Sequence, residues 1–161
     1  VKTCPSTGRP LLETAAPTMS HPAKMVLLQA MAFHEFSIEC ADARSAFLQA
    51  ERTEEARRIW VHGLPEVEKA LGLKPGGLAR LLGALYGLTN VPRIFWRDSD
   101  KKFKGLNLAP LQVDPCVWIL MDGGQLVGGV GSHVDDFMLG GSLENPKWKL
   151  AGEGIQKMYR W

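Results

Sequence analysis

The sequence predicts one α+β domain in which an antiparallel sheet packs against helices. Three observations lead to this fold class. The 161 residues suit a single domain, and their balance of 45% hydrophobic and 22% charged residues is that of an ordinary globular protein. Stretches with helical apolar spacing alternate with short β-prone stretches along the chain. Two of the β-prone stretches meet at a glycine-rich turn, which indicates a β-hairpin.

Composition limits the class of protein but does not choose a function. The net charge of +2 permits a nucleic-acid partner without demanding one. The three cysteines are odd in number and have no metal-ligand spacing, so we expect a reducing, intracellular environment. No apolar run is long enough for a membrane helix, and the N-terminus has no signal-peptide pattern. The chain starts without methionine, and we expect it to be a piece of a longer protein.

The first half of the chain predicts an irregular leader, a helix and a strand. Residues 1–16 show little periodicity and are assigned to the leader. In "SHPAKMVLLQAMAFHEF", Ser20 can cap a helix and Pro22 suits its first turn. Apolar residues surround most of this helix, which predicts burial on more than one side. "SIECAD" alternates with a period near two and predicts a strand that ends at Asp42.

The second half predicts a helix followed by a hairpin and a returning strand. In "NVPRIFWRDSDKKFKG", Asn90 can cap the helix, Pro92 enters it and Gly105 can end it. "CVWILM", the turn "DGG" and "QLVGGVGSHV" predict the hairpin, and "FMLGG" predicts the returning strand. The pair Asp135-Asp136 falls between the last two strands. The resulting order is helix, strand, helix, hairpin in one unit.

Two adjacent aspartates in an apolar, glycine-rich stretch allow two interpretations. Aspartate is common in turns because its side chain bonds to nearby backbone amides, and the doublet alone favours this interpretation. If the strand ending at Asp42 is a neighbour in the same sheet, however, three carboxylates converge. Such a site suits Mg²⁺ or Mn²⁺, and two such ions support in-line displacement at phosphorus.

The surrounding segments resemble reverse transcriptases of copia-type retrotransposons. "HVDD" resembles the family's YVDD box, "ADARSAFLQA" resembles D-V-K-T-A-F-L-N-G, and "ALYGLTNVPRIFW" resembles A-L-Y-G-L-K-Q-A-P-R-x-W. "APTMS" and "DPCVWIL" fall in the family's order as well, so the resemblance spans residues 16–141. It implies a polymerase palm-like antiparallel sheet packed on helices, incomplete at both ends. Residues 1–161 would then be a single partial reverse transcriptase domain.

The resemblance implies that Asp42, Asp135 and Asp136 are catalytic and bind Mg²⁺, with Mn²⁺ as the other candidate. In the family, the first two of these positions bind both ions and the third assists. Nucleotide-binding roles are implied for six residues: Ser45, Ala46, Phe47, Tyr86, Gly87 and Asn90. The backbone amides near the first two would lie close to the triphosphate. Phe47 would exclude a ribose 2′-hydroxyl, although on composition alone it is a plain core aromatic.

Two further residues are implied to contact nucleic acid. His133 replaces the family's usual tyrosine before the aspartates, and a histidine can hydrogen-bond to primer or template. Arg93 would contact a backbone phosphate, with a solvated helix charge as the equal alternative. Asn90 stands where the family commonly has glutamine, and a role as helix cap is at least as well supported. The sequence lacks the family's fingers, thumb and ribonuclease H parts.

The implied function is RNA-directed DNA polymerisation, a nucleotidyl transfer. Its partners would be an RNA or DNA primer-template and deoxynucleoside triphosphates, with no membrane partner and a place in the cytoplasm or the nucleus. We expect little activity from these 161 residues alone. Two alternatives stay open. One is a degenerate, inactive remnant that binds nucleic acid weakly. The other is an unrelated metal-dependent hydrolase that uses His133, Asp135 and Asp136.

Overall fold

The computed structural model describes residues 15–52 and 59–161 of the chain. Within these two segments lie five helices and seven strands. The helices are α1 (His21–Phe33), α2 (Ala46–Gln49), α3 (Pro65–Leu71), α4 (Val91–Gly105) and α5 (Pro146–Met158). The strands are β1 (Ser37–Asp42), β2 (Trp60–His62), β3 (Leu78–Arg80), β4 (Ala109–Pro110), β5 (Val117–Asp122), β6 (Gln125–His133) and β7 (Asp136–Gly141). The predicted α+β class is confirmed.

Five of the strands form one antiparallel sheet in the order β1-β7-β6-β5-β4. The predicted hairpin is β5–β6, and the predicted returning strand is β7, which pairs with β6 on one side and β1 on the other. The strand that ends at Asp42 is therefore the neighbour of the strand that begins at Asp136. Strands β2 and β3 form a separate two-stranded sheet.

The main sheet lies between helices because both of its faces are apolar. Successive strand residues point to opposite faces, so Val117 and Trp118 face different layers. On one face, Val117 packs with Leu27 and Met31 of α1. On the other face, Trp118 belongs to a larger cluster that includes Phe95 and Phe103 of α4 and Trp148 and Ile155 of α5. Each fully buried large side chain contributes about 1.5–3 kcal/mol, so these two layers hold the sheet in place.

Glycines in β6 and β7 allow α5 to approach the sheet closely. Gly128 and Gly141 are direct register partners. A Cβ atom built on either residue would overlap the indole ring of Trp148. The glycine-rich character of this part of the sequence is thus explained by helix–sheet packing.

The start of α1 is fixed by a capping bond and a buried carboxylate. The Ser20 side chain accepts a hydrogen bond from the Ala23 amide, as predicted. Asp114 is buried and accepts hydrogen bonds from the amides of Ser20 (2.8 Å) and Cys116 (2.9 Å). Asp114 therefore ties the cap of α1 to the residues just before β5.

The prediction that α1 is buried on more than one side is wrong. Leu27 and Met31 are its buried residues, whereas the side chains of Met25 and Val26 are 51% and 65% exposed. The physical reason is that α1 lies on the sheet along one stripe only, since α4 and α5 pack on the opposite face of that sheet.

The predicted boundaries of α4 are confirmed, but its predicted cap is not. The helix begins at Val91 and ends at Gly105, and Asn90 stands at the N-cap position without a side-chain capping bond. Its backbone, at φ −95° and ψ −3°, is already near helical values, whereas a capping residue is typically extended. The Asn90 side chain is therefore not positioned to accept the bond from the first turn.

Some predictions fall on residues outside the described segments. These are residues 1–14 of the predicted leader and residues 53–58 of the charged stretch "ERTEEARR". Residues 15 and 16, the end of the predicted leader, have no regular secondary structure. In the described part of the chain, no helix is both long enough and apolar enough to cross a membrane.

Candidate metal and nucleotide site

The strand register places three predicted site residues in one row at the end of the sheet. Asp42 of β1 is the direct partner of Asp136 in β7, and Asp136 is in turn the partner of His133 in β6. Directly opposed residues have Cα atoms about 4.5–5.5 Å apart and side chains on the same face. Two carboxylates and an imidazole therefore lie side by side, although the sequence separates Asp42 from the other two by most of the domain.

This row opens into a cleft of about 490 Å³. The strands supply Asp42, His133 and Asp136, and the segment around the start of α1 supplies Met19 and Lys24. Five neighbouring residues of β1, β6 and β7 also line the cleft: Cys40, Ala41, Gly131, Phe137 and Met138. Asp42, His133 and Asp136 are all exposed, so a ligand that enters from solvent can contact them.

Asp135 has a different position from the other two aspartates. It is half-buried in the two-residue turn between β6 and β7 and is not among the residues that line the cleft. Its carbonyl oxygen accepts a hydrogen bond from the Ala43 amide (3.0 Å), which joins the turn to the chain just beyond β1. The preceding residue, Val134, has φ +60°, a strained conformation for a β-branched side chain. The cleft partner of Asp42 is therefore Asp136.

The carboxylates fit a hard divalent cation only in part. No group of three or more His, Cys, Asp or Glu side chains is placed to hold a metal ion anywhere in residues 15–52 and 59–161. The predicted convergence of three carboxylates is thus reduced to the pair Asp42 and Asp136. Magnesium is commonly held by one or two carboxylates together with substrate phosphates and water, and a pair of oxygen ligands is compatible with that mode.

The residues predicted to bind the nucleotide next to Asp42 lie on α2 and at its start. Ser45 is exposed, with a left-handed backbone at φ +50°. Ala46 is buried in the larger core cluster. Phe47 is half-buried, with its ring centroid 4.9 Å from that of Tyr86 and 6.1 Å from that of Phe95. We expected Phe47 to border the same cleft as Asp42, and it does not line that cleft.

The remaining predicted residues surround the start of α4. Tyr86 is 52% exposed, and Gly87 has φ +94°, a conformation that suits glycine. Asn90 is buried, which turns its side chain away from solvent. Arg93 is half-buried, and its guanidinium donates a hydrogen bond to the Ala15 carbonyl oxygen (2.7 Å). Phe47 and Tyr86 are the nucleotide-binding candidates that the structure brings into direct contact.

Sequence reasoning missed seven residues of the cleft, among them Met19, Lys24 and Cys40. Cys40 could have been found, because a period of two places residues 40 and 42 on the same face of β1. Met19 and Lys24 carry no such signal, since their position depends on how α1 packs on the sheet.

Comparison with known proteins identified no relative of this chain. No protein-family model, no curated protein and no solved structure matches the chain.

Proposed function

We propose that this chain is the palm region of an RNA-directed DNA polymerase that resembles the copia-type reverse transcriptases. One observation supports the proposal most directly. The family motifs that contain Asp42 and Asp136 are distant in sequence, and the antiparallel register of β1 and β7 makes these two residues direct partners. An arrangement of this kind is required if one phosphate-bound cation is to be shared between them.

The turn interpretation of the aspartate pair accounts for less of the geometry. It explains Asp135, which lies in the turn itself. It gives no reason for Asp136, which belongs to β7, to stand beside a second exposed carboxylate on β1. Like charges directly opposite each other in a sheet are destabilising, so a bound cation is the simplest compensation.

In the proposed reaction, Asp42 and Asp136 would hold the cation at the end of the sheet. Bound Mg²⁺ or Mn²⁺ would activate the primer 3′-hydroxyl and neutralise charge on the triphosphate. His133, which lies on the same face beside Asp136, would hydrogen-bond to primer or template. Phe47, resting on Tyr86, would exclude a ribose 2′-hydroxyl from an adjoining nucleotide site. Asp135 would support the turn through its bond to Ala43.

A second candidate is an inactive remnant of such a polymerase that binds nucleic acid weakly. Two observations favour it. In the described residues, no group of three or more His, Cys, Asp or Glu side chains could hold a metal ion, and Phe47 lies outside the Asp42 cleft. The polymerase and the remnant share a fold, and metal-dependent chemistry distinguishes them.

The test is primer extension on an RNA template by the protein that carries this chain, with Mg²⁺ or Mn²⁺ present. Asp42→Asn should abolish extension while leaving folding and primer-template binding nearly intact. Glu39→Gln is the matched control, because it makes the same charge change on the same strand and faces away from the cleft. Extension that survives Asp42→Asn would refute the mechanism. Template-independent phosphate hydrolysis would favour the hydrolase instead.

A further inference from the structure

We propose that Lys24 is a phosphate-binding residue of the cleft, where it takes a phosphate group whose metal ion is held by Asp42 and Asp136. The inference rests on the proposed function, because it assigns a new residue to the same site. Lys24 lies in the first turns of α1, on the helical side of the cleft, whereas the two carboxylates lie on the strand side. A ligand between these two sides would contact both charges.

Among the lysines of the described segments, Lys24 is distinguished by its place in the cleft beside Asp42 and Asp136, since four others also form no ion pair there: Lys69, Lys74, Lys149 and Lys157. In the described segments, Lys101, Lys102, Lys104 and Lys147 each form an ion pair with a carboxylate at 2.6–2.7 Å. Lys24 shares a cleft with two exposed carboxylates, yet no ion pair within those segments involves it. Its ammonium is therefore available to a ligand on the opposite side of the cleft from Asp42 and Asp136.

The charges of the cleft determine what kind of ligand it can take. Two carboxylates against one ammonium leave the cleft net negative, so a phosphate alone is repelled. A divalent cation on the carboxylates reverses this balance and supplies a second positive centre for phosphate oxygens. The fitting ligand is therefore a metal-chelated phosphate, such as pyrophosphate or a nucleoside triphosphate. The cleft volume of about 490 Å³ is in the range of small-molecule sites.

Cys40 provides a reporter of cleft occupancy that does not depend on catalysis. Its side chain is exposed and lines the cleft two residues before Asp42. Cys116 is buried, and this burial raises the pKa of its thiol to about 11, so it reacts slowly near neutral pH. Cys4 lies outside the described segments, and its replacement by serine leaves two thiols: the exposed Cys40 and the buried Cys116. Alkylation of this variant therefore reports on Cys40. Mg²⁺ is a suitable probe metal because it does not favour thiol ligands.

The experiment measures the rate of Cys40 alkylation in Cys4→Ser protein with Mg²⁺, pyrophosphate or dATP, singly and combined. We expect little slowing by pyrophosphate alone and clear slowing by pyrophosphate with Mg²⁺. Lys24→Met should weaken the binding of pyrophosphate in the presence of Mg²⁺ roughly tenfold, and Lys24→Arg should restore most of it. Lys149→Met is the matched control, since Lys149 lies on α5 against the other face of the sheet.

Each outcome decides a separate question. If Mg²⁺ with pyrophosphate slows Cys40 alkylation equally in the Lys24→Met and parent chains, the role of Lys24 is overturned and the metal site remains. If Lys149→Met loses as much of the slowing as Lys24→Met does, the role of Lys24 is overturned as well, because the effect would then come from the change in net charge. No slowing in the parent chain under any condition overturns the cleft as a phosphate site, while primer extension tests the polymerase independently. Slowing by dATP but not by pyrophosphate would assign the contact to the nucleoside and also overturn the proposal.

Discussion

Neutralising Asp136 should stabilise the metal-free protein slightly and remove most of its response to divalent cations. Asp136→Asn keeps the shape of the side chain and removes one of two charges that face each other across β1 and β7. Both carboxylates are exposed. If their separation is taken as about 6 Å, Coulomb repulsion at ε ≈ 80 is about 0.7 kcal/mol. For a chain of this size, that gain corresponds to a rise in melting temperature of roughly 1–3 °C.

With metal present, Asp136→Asn should have the opposite effect on stability, and a larger one, because it removes the stabilisation that bound metal gives. If the pair binds Mn²⁺ with a Kd of about 1 mM, 10 mM metal stabilises the parent chain by about 1.4 kcal/mol, or roughly 3–6 °C. Asp136→Asn and Asp42→Asn should both lose most of this shift. Asp135→Asn should keep it, because Asp135 does not line the cleft.

The assay is thermal unfolding followed by circular dichroism, with and without Mn²⁺, at low and high salt. Glu39→Gln is the control, since it removes a carboxylate on β1 that faces α5. A full metal-induced shift in both Asp136→Asn and Asp42→Asn would refute the pairing argument. So would an equal loss of the shift in Glu39→Gln. Loss of the shift in Asp42→Asn and Asp135→Asn, with the shift kept in Asp136→Asn, would restore the family's assignment of the second metal-binding aspartate.

Three further predictions concern the scaffold and are measured by urea unfolding. Gly141→Ala should destabilise the fold by about 1–3 kcal/mol, because the new methyl overlaps Trp148, and Trp148→Leu should relieve part of that cost; a neutral single substitution would contradict this packing. Asp114→Ala should cost about 2–4 kcal/mol through two lost amide hydrogen bonds at the start of α1 and before β5, and an effect under 1 kcal/mol would show that water replaces them. Tyr159→Phe should cost about 1–3 kcal/mol, because its hydroxyl donates to the buried Asp98 carboxylate at 2.7 Å. Unchanged stability would mean that the ion pair of Asp98 with Lys102, also at 2.7 Å, is sufficient for this carboxylate.

Local patterns predicted α1, β1, α4, the β5–β6 hairpin and β7, but they did not predict α2, β4 or α5. Contacts between distant segments decided what the sequence left open. The strand ending at Asp42, the β5–β6 hairpin and the bounds of α4 follow from periodicity and turn residues within a few positions. The exposure of Val26 could not be predicted in this way, since it depends on which stripe of α1 meets the sheet. The missing cap bond of Asn90 depends on a local backbone geometry that several residue types can adopt.

The residues of the candidate site, too, were predicted in part from the sequence and in part only from the packing of distant segments. The resemblance identified Asp42, Asp136 and His133 one residue at a time, but only the register shows that they form a row. The choice between Asp135 and Asp136 as the cleft partner of Asp42 depends on where the turn falls, and two adjacent identical residues give no sequence signal for that. Lys24 enters the cleft through the packing of α1, which no motif encodes.

Two local conflicts meet at one corner of this sheet, and together they favour a binding role over a simple turn. Val134 takes a left-handed backbone at φ +60°, which costs of order 1–3 kcal/mol for a residue that is not glycine. Close to it, Asp42 and Asp136 oppose each other as exposed charges, and neither forms an ion pair within residues 15–52 and 59–161. An asparagine-glycine turn and a neutral strand end would satisfy the same hairpin without either cost. Unfavourable backbone conformations and facing like charges are expected where function requires them. Here both occur at the turn between β6 and β7, next to the end of β1. The metal-linked unfolding of Asp136→Asn therefore tests the reason for this strained corner as well as its ligand.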